Sequence, residues 1–169
     1  MPIASSDIKK YLSGGAAQSD PNASLGGAMS SVEIVDDTLH NLFDKTTGAE
    51  AAAGDIEYRA FFVKNTHATL TYEDVVIYIS SNTASGDTTV AIALADEAVG
   101  ISTIETIANE STAPVGPTFS SPSTAGTGLS IGSMAPGEAK GIWVRWTVTA
   151  GAASVLDSAT IATSGDTNP

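Results

Sequence analysis

Three runs, residues 57–64, 70–81 and 139–149, constrain this chain more than anything else in it. Each is rich in β-branched and aromatic side chains, and the two longer ones repeat with the two-residue period of a strand. After the turn-like Asn65, Thr66 and His67, the second run sets Val75, Ile77 and Ile79 on one face and Val76 and Tyr78 on the other. A further strand is predicted over 88–95. The connections between these strands are too short for parallel crossovers, so an antiparallel meander is predicted. In the 139–149 run, Ile142, Val144, Trp146 and Val148 share one face, and Trp143, Arg145 and Thr147 share the other. This register predicts Trp146 in the core and Trp143 near a surface or interface.

The remaining segments are shorter and richer in turn residues. A first strand is predicted at 31–35, a second short strand or turn at 38–43, and a loop with a helical turn at 45–55. Pro114, Pro117 and Pro122 exclude a central strand from 96–123, which reads as an edge or a long surface loop. Short strands follow at 129–132 and 158–163, the former succeeded by the Ala135-Pro136-Gly137-Glu138 turn. Short strands separated by Gly- and Pro-rich turns predict an all-β protein, an antiparallel β-sandwich of Ig-like or jelly-roll-like type over residues 31–169. Residues 1–30 hold two Gly-Gly pairs and Asp20-Pro21-Asn22. Ser5, Ser6 and Asp7 could cap a helical turn before Gly14 and Gly15 stop it. This stretch is predicted to be an extended Gly-rich N-terminal arm, anchored by Ile8, Tyr11, Leu12 and Leu25.

Composition narrows the function classes. Without a cysteine there are no disulfides, thiolate metal sites or cysteine nucleophiles. Nineteen acidic and seven basic residues give a net charge of −12, which repels phosphate backbones and argues against direct nucleic-acid binding. The first residues lack the apolar core of a secretory signal, and no run reaches transmembrane length, so a protein made in a cytosol and not bound to a membrane is expected.

Catalytic patterns are missing from the sequence. His40 and His67 have no metal-ligand spacing, and there is neither a Gly-x-Ser-x-Gly elbow nor a phosphate-binding Gly-x-x-x-x-Gly-Lys loop. Asp36 with Asp37, and Glu73 with Asp74, lie outside any Asp-x-Asp-x-Asp loop and read as solvated turns rather than calcium ligands. The chain is therefore read as a non-enzyme without cofactor or metal. Arg59, Lys64, Lys140 and Arg145 fall in or beside the two best strands of an acidic protein. They read either as ordinary outward strand residues paired with carboxylates or as a basic stripe for an acidic partner, with Trp143 beside Arg145 as a further contact.

The segments YLSGGAAQSDPNASLGGAMSS, GDIEYRAFFVKNTHATL and MAPGEAKGIWVRWTV, taken together, resemble small virion proteins of tailed bacteriophages. The likeness is to β-sandwich head proteins of the capsid decoration or cement type. It covers most of the chain and is one of layout: a Gly-rich arm, an acidic Ser/Thr/Ala-rich sandwich and a late strand with two tryptophans. It implies a structural protein made in the host cytoplasm that binds the outside of a phage head and bridges major capsid subunits, often as a trimer. The arm would order on the shell or on another copy, and Ile8, Tyr11, Leu12, Leu25, Arg59, Trp143 and Arg145 become the candidate assembly contacts. A tail or baseplate protein and a carbohydrate- or receptor-binding module are the alternatives.

Overall fold

A computed structural model describes residues 2–153 and 156–167 of the chain. Among the described residues nine strands form two antiparallel sheets. The six-stranded sheet runs in the order β5 (Thr88–Leu94), β8 (Ala139–Val148), β3 (Asp55–Asn65), β1 (Ile8–Ser13), β2 (Gly26–Glu33) and β6 (Thr103–Thr106). The smaller sheet places β4 (Tyr72–Ser81) between β7 (Leu129–Met134) and β9 (Thr160–Thr167). The short α-helix α1 (Gly48–Ala53) is closed at its start by a capping box between Thr47 and Glu50 and at its end by Gly54 at φ 80°. The all-β sandwich expected from the sequence is the fold observed.

The strongest sequence runs are the middle of the structure. β3 and β8 pair from Asp55 opposite Val148 to Lys64 opposite Ala139, and β5 pairs along the other side of β8. The meander, however, is not formed. β4 crosses to the smaller sheet, while β3 and β5 both flank β8. Short connections fix strand direction but leave open whether the next strand pairs beside its predecessor or packs against it from the facing sheet.

The extended arm is not found either. Lys9, Lys10, Tyr11 and Leu12 lie opposite Lys64, Val63, Phe62 and Phe61 of β3, so β1 is an interior strand rather than a helical turn or a free tail. A backbone ladder needs no large side chains, which is why a segment poor in anchors can still be held firmly. The glycines also serve approach rather than flexibility. A Cβ on Gly26, which sits at φ 89°, would lie 1.9 Å from the carbonyl oxygen of Glu105 in β6 and 3.0 Å from the Trp143 ring. Only glycine admits β6 this close. Ser13 completes the join: its buried hydroxyl donates to the Ala60 carbonyl and accepts from the Gly26 N–H.

Two apolar cores result. Between the sheets, Phe61, Val63, Val90, Ile92, Ile142 and Val144 meet Tyr72, Val75, Ile77, Ile79, Ile131 and Met134. The second core exists because the six-stranded sheet curls into a half-barrel. Ile104 of β6 comes back over β8, where a Cβ on Gly141 would stand 2.6 Å from it. Inside the curl, Phe62 and Trp143 pack with Ala60, Ala93, Ile104 and Ile107. Small residues on the concave face leave room for those two rings.

The tryptophan assignment is therefore corrected. Parity along β8 separates the two residues as expected, but Trp143 is 0% exposed within the curl, and Trp146 is half-buried at the margin of the inter-sheet core. The face opposite the inter-sheet core is not solvent. It is a second interior.

Candidate functional site

Six strands oppose three, so part of the larger sheet's inner face has no strand across from it. There Trp146 and Val148 of β8 and Val90 of β5 line a cavity of about 590 Å³, together with Phe61, Val144 and Ile161. Non-strand segments close the gap: the stretch from Ile34 to Gly48, and residues 152–153 and 156–159. Phe43 reaches in from the first of these and lies against Trp146, with ring centroids 5.8 Å apart and planes tilted by 35°. Leu39 and Leu156 stand at the cavity wall yet are 65% and 79% exposed. The site is a mainly apolar recess on an acidic protein, with two exposed leucines at its wall and Lys10, Asp36, His40, Asp44 and Lys45 also lining it.

Asp157 anchors one side of the recess. Burial raises its pKa, but hydrogen bonds from the Ser85 and Thr88 hydroxyls and from the Ser85 and Ala84 backbone outweigh that and hold it below the usual carboxylate range. Behind Phe43, and not itself lining the recess, Arg59 is wholly buried with its guanidinium carbon 5.5 Å from the ring centroid. Arg59 Nη2 lies 2.5 Å from Glu110, and 3.6 Å from both Asp44 and Glu57; Nη1 donates to the Tyr58 carbonyl at 3.1 Å. Glu57 is 4% exposed. Burial pushes its carboxyl up to about 7; Arg59 opposes the rise, whereas Asp44, Glu110 and Asp55 add to it.

The residues singled out in the sequence go to several places. Leu12, Arg59 and Trp143 are inside the fold and present no surface to a partner in this conformation. Ile8 packs at the edge of the inter-sheet core and Leu25 at the edge of the curled one. Tyr11 lies under Lys64, its ring centroid 6.0 Å from the ammonium, and Arg145 lies over Phe119 at 5.3 Å. The four strand cations do not form a stripe. Lys140 is buried, its pKa lowered by that burial, and its ammonium donates to the Ala95 and Glu97 carbonyls. His67 serves its own turn, where Nδ1 accepts from the Thr69 and Leu70 N–H groups.

The recess was not legible from periodicity, because it depends on the unequal width of the two sheets. The Glu57–Arg59 pair did have a signal. Both residues share parity with Phe61 and Val63, which places two charges on an inward face.

Comparison with known proteins adds no relative: no protein family, curated protein or solved structure matches the chain. What the structure defines is its class, an all-β protein of two antiparallel sheets with an apolar recess between them. Among the described residues no helix is long and apolar enough to cross a membrane.

Proposed function

We propose that this chain is a structural protein of a virion, a decoration or cement protein that lies on the exterior of a phage head and bridges major capsid subunits. It acts by binding and carries out no reaction. The observation that carries this reading is the apolar lip of Leu39 and Leu156 around an open recess, on a chain of net charge −12. Exposed large apolar side chains gathered at one mouth favour a protein partner, while the acidic remainder disfavours nucleic acid and favours an outward-facing position. The layout of the sequence supports the choice of a capsid as that partner. In this reading the lip is set against the shell, and copies gather as trimers around local three-fold positions.

The test is co-sedimentation with shells assembled from the major capsid protein alone. Wild-type chain is expected to bind saturably, and Leu39→Asp combined with Leu156→Asp to lose most of that binding while keeping its melting temperature. Wild-type chain that stays in the supernatant, or a double variant that binds equally well, would overturn the proposal. Selective binding to isolated tails would instead assign the protein to the tail.

A further inference from the structure

An edge strand carries a row of unpaired N–H and C=O groups that another chain can pair with, and proteins usually blunt it. Among the described residues three of the four sheet edges are blunted. At β5 the Asn82 side-chain amide takes both the Val90 N–H and the Val90 carbonyl, and Ile92 exchanges two backbone hydrogen bonds with Ser120. At β6 the Glu97 carboxylate accepts from the Glu105 N–H. β7 is broken by a register shift and by Gly132 at φ 87°.

The edge at β9 is open. This strand pairs with β4 alone, and both register shifts in that pairing put the extra residue on β4, so β9 itself runs unbulged. Its sequence, TIATSGDT, has no lysine, arginine or proline to obstruct pairing. Among the described residues the backbone of 160–167 makes no backbone hydrogen bond except to β4, and its one side-chain partner is the Ser80 hydroxyl, which donates to the Thr160 carbonyl.

The recess lies on this open side. Of the smaller sheet only β9 contributes to its lining, through Ile161, while Val90, Val144, Trp146 and Val148 of the larger sheet form its floor. Six strands facing three thus leave an open lane beside β9. Residues 35–46 lie across that lane, yet among the described residues their backbone makes no hydrogen bond to the backbone of either sheet. Side chains hold them instead, Phe43 against Trp146 and Asp44 near Arg59. A cover attached in this way can be displaced without breaking a ladder.

We propose that β9 takes an extended segment of a protein partner as a fourth strand of the smaller sheet, with alternate side chains of that segment seated in the recess. The proposal rests on the reading of the recess as a partner-binding site and specifies how the partner is held. The β9 backbone supplies the ladder, and the apolar floor selects a segment with apolar residues at every second position. The net charge of −12 favours a segment without acidic residues. A second copy fits poorly. The larger sheet projects past β9, so a whole sandwich brought edge to edge would drive its own larger sheet into this one, and both copies are strongly acidic. A free segment meets neither obstacle.

The probe is a synthetic peptide as long as β9, eight residues, alternating valine with threonine and followed by two lysines. Two control peptides carry methyl groups on the valine nitrogens or on the threonine nitrogens, so that one of them loses the donors facing β9 while both keep every side chain. Affinity for the full chain is read by calorimetry, and the place of binding by amide hydrogen exchange. Saturable binding is expected, with exchange slowed at alternate amides of 160–167 and not along β5, β6 or β7. One methylated peptide is expected to bind at least about tenfold more weakly than the parent. No binding up to about 1 mM peptide, protection centred on another edge, or undiminished binding by both methylated peptides would overturn the proposal. The assay contains no shells, so its failure is distinct from a failure of co-sedimentation: a chain that ignores shells yet gains β9 protection from the peptide keeps the strand site and loses only the capsid as its partner.

Discussion

Replacing Gly26 by alanine tests the curl of the large sheet at its tightest point. Two costs add at this residue. The first is backbone strain, because an L-residue at φ 89° sits in left-handed territory at about 1–2 kcal/mol. The second is steric: the new methyl would stand 1.9 Å from the Glu105 carbonyl oxygen, and backbone cannot swing aside as a flexible side chain can. β6 must therefore back away from β2, which loosens Ile104 and Ile107 over Trp143. Uncovering even one such side chain costs about 1.5–3 kcal/mol. Gly137 provides the control, since it has nearly the same φ, 84°, and nothing within 4 Å of its would-be Cβ. Gly137→Ala is expected to cost the strain alone, and Gly26→Ala about 2–3 kcal/mol more. Urea unfolding followed by fluorescence in a Trp146→Phe background reads this directly, with Trp143 as the reporter. Equal destabilisation by the two substitutions would refute the close approach of β6 and with it the second core.

Other expectations follow from the same packing. Trp143→Ala should cost about 3–5 kcal/mol, the penalty for emptying a filled aromatic site, and Trp146→Ala clearly less; acrylamide should quench Trp146 and spare Trp143, and the opposite pattern would reverse the register of β8. Deleting residues 2–30 should abolish cooperative unfolding, because it removes β1 and most of β2 from the sheet; a truncated chain that melts like the full one would contradict the topology. Burial makes the carboxyl of Glu57 titrate at about 7 in the folded chain against an ordinary 4.5. Between those values the native state keeps a proton that the unfolded chain releases, so this group makes stability fall as pH rises from about 4.5 to 7, by about 3 kcal/mol in all. Glu57→Gln should flatten that part of the profile, and an unchanged slope would show that another group sets it.

Strand identity was readable from residues 57–64, 70–81 and 139–149 because alternation and β-branching act locally. Sheet membership was not readable, since nothing within the β4 sequence distinguishes pairing beside β3 from facing it. The N-terminal segment misled for a related reason. Glycine pairs signal either slack or close approach, and only the position of Glu105 and Trp143 in space decides that Gly26 belongs to the second kind. Trp143 followed the same logic: parity gave its face, while the element covering that face, β6, is a four-residue strand within a stretch whose prolines suggested only an edge or loop. In the candidate site, the inward charges of Glu57 and Arg59 were implicit in the strand period. Leu39 and Leu156 carried no periodic signal, being in connections whose course is set by the gap between unequal sheets.

Cryo-electron microscopy of the intact particle tests the proposed function most directly. Copies of this two-sheet fold are expected on the outer surface of the head, with Leu39 and Leu156 turned towards major capsid subunits and more than one subunit touched by each copy. A head reconstruction whose exterior carries no such density, from particles that contain the chain, would contradict it.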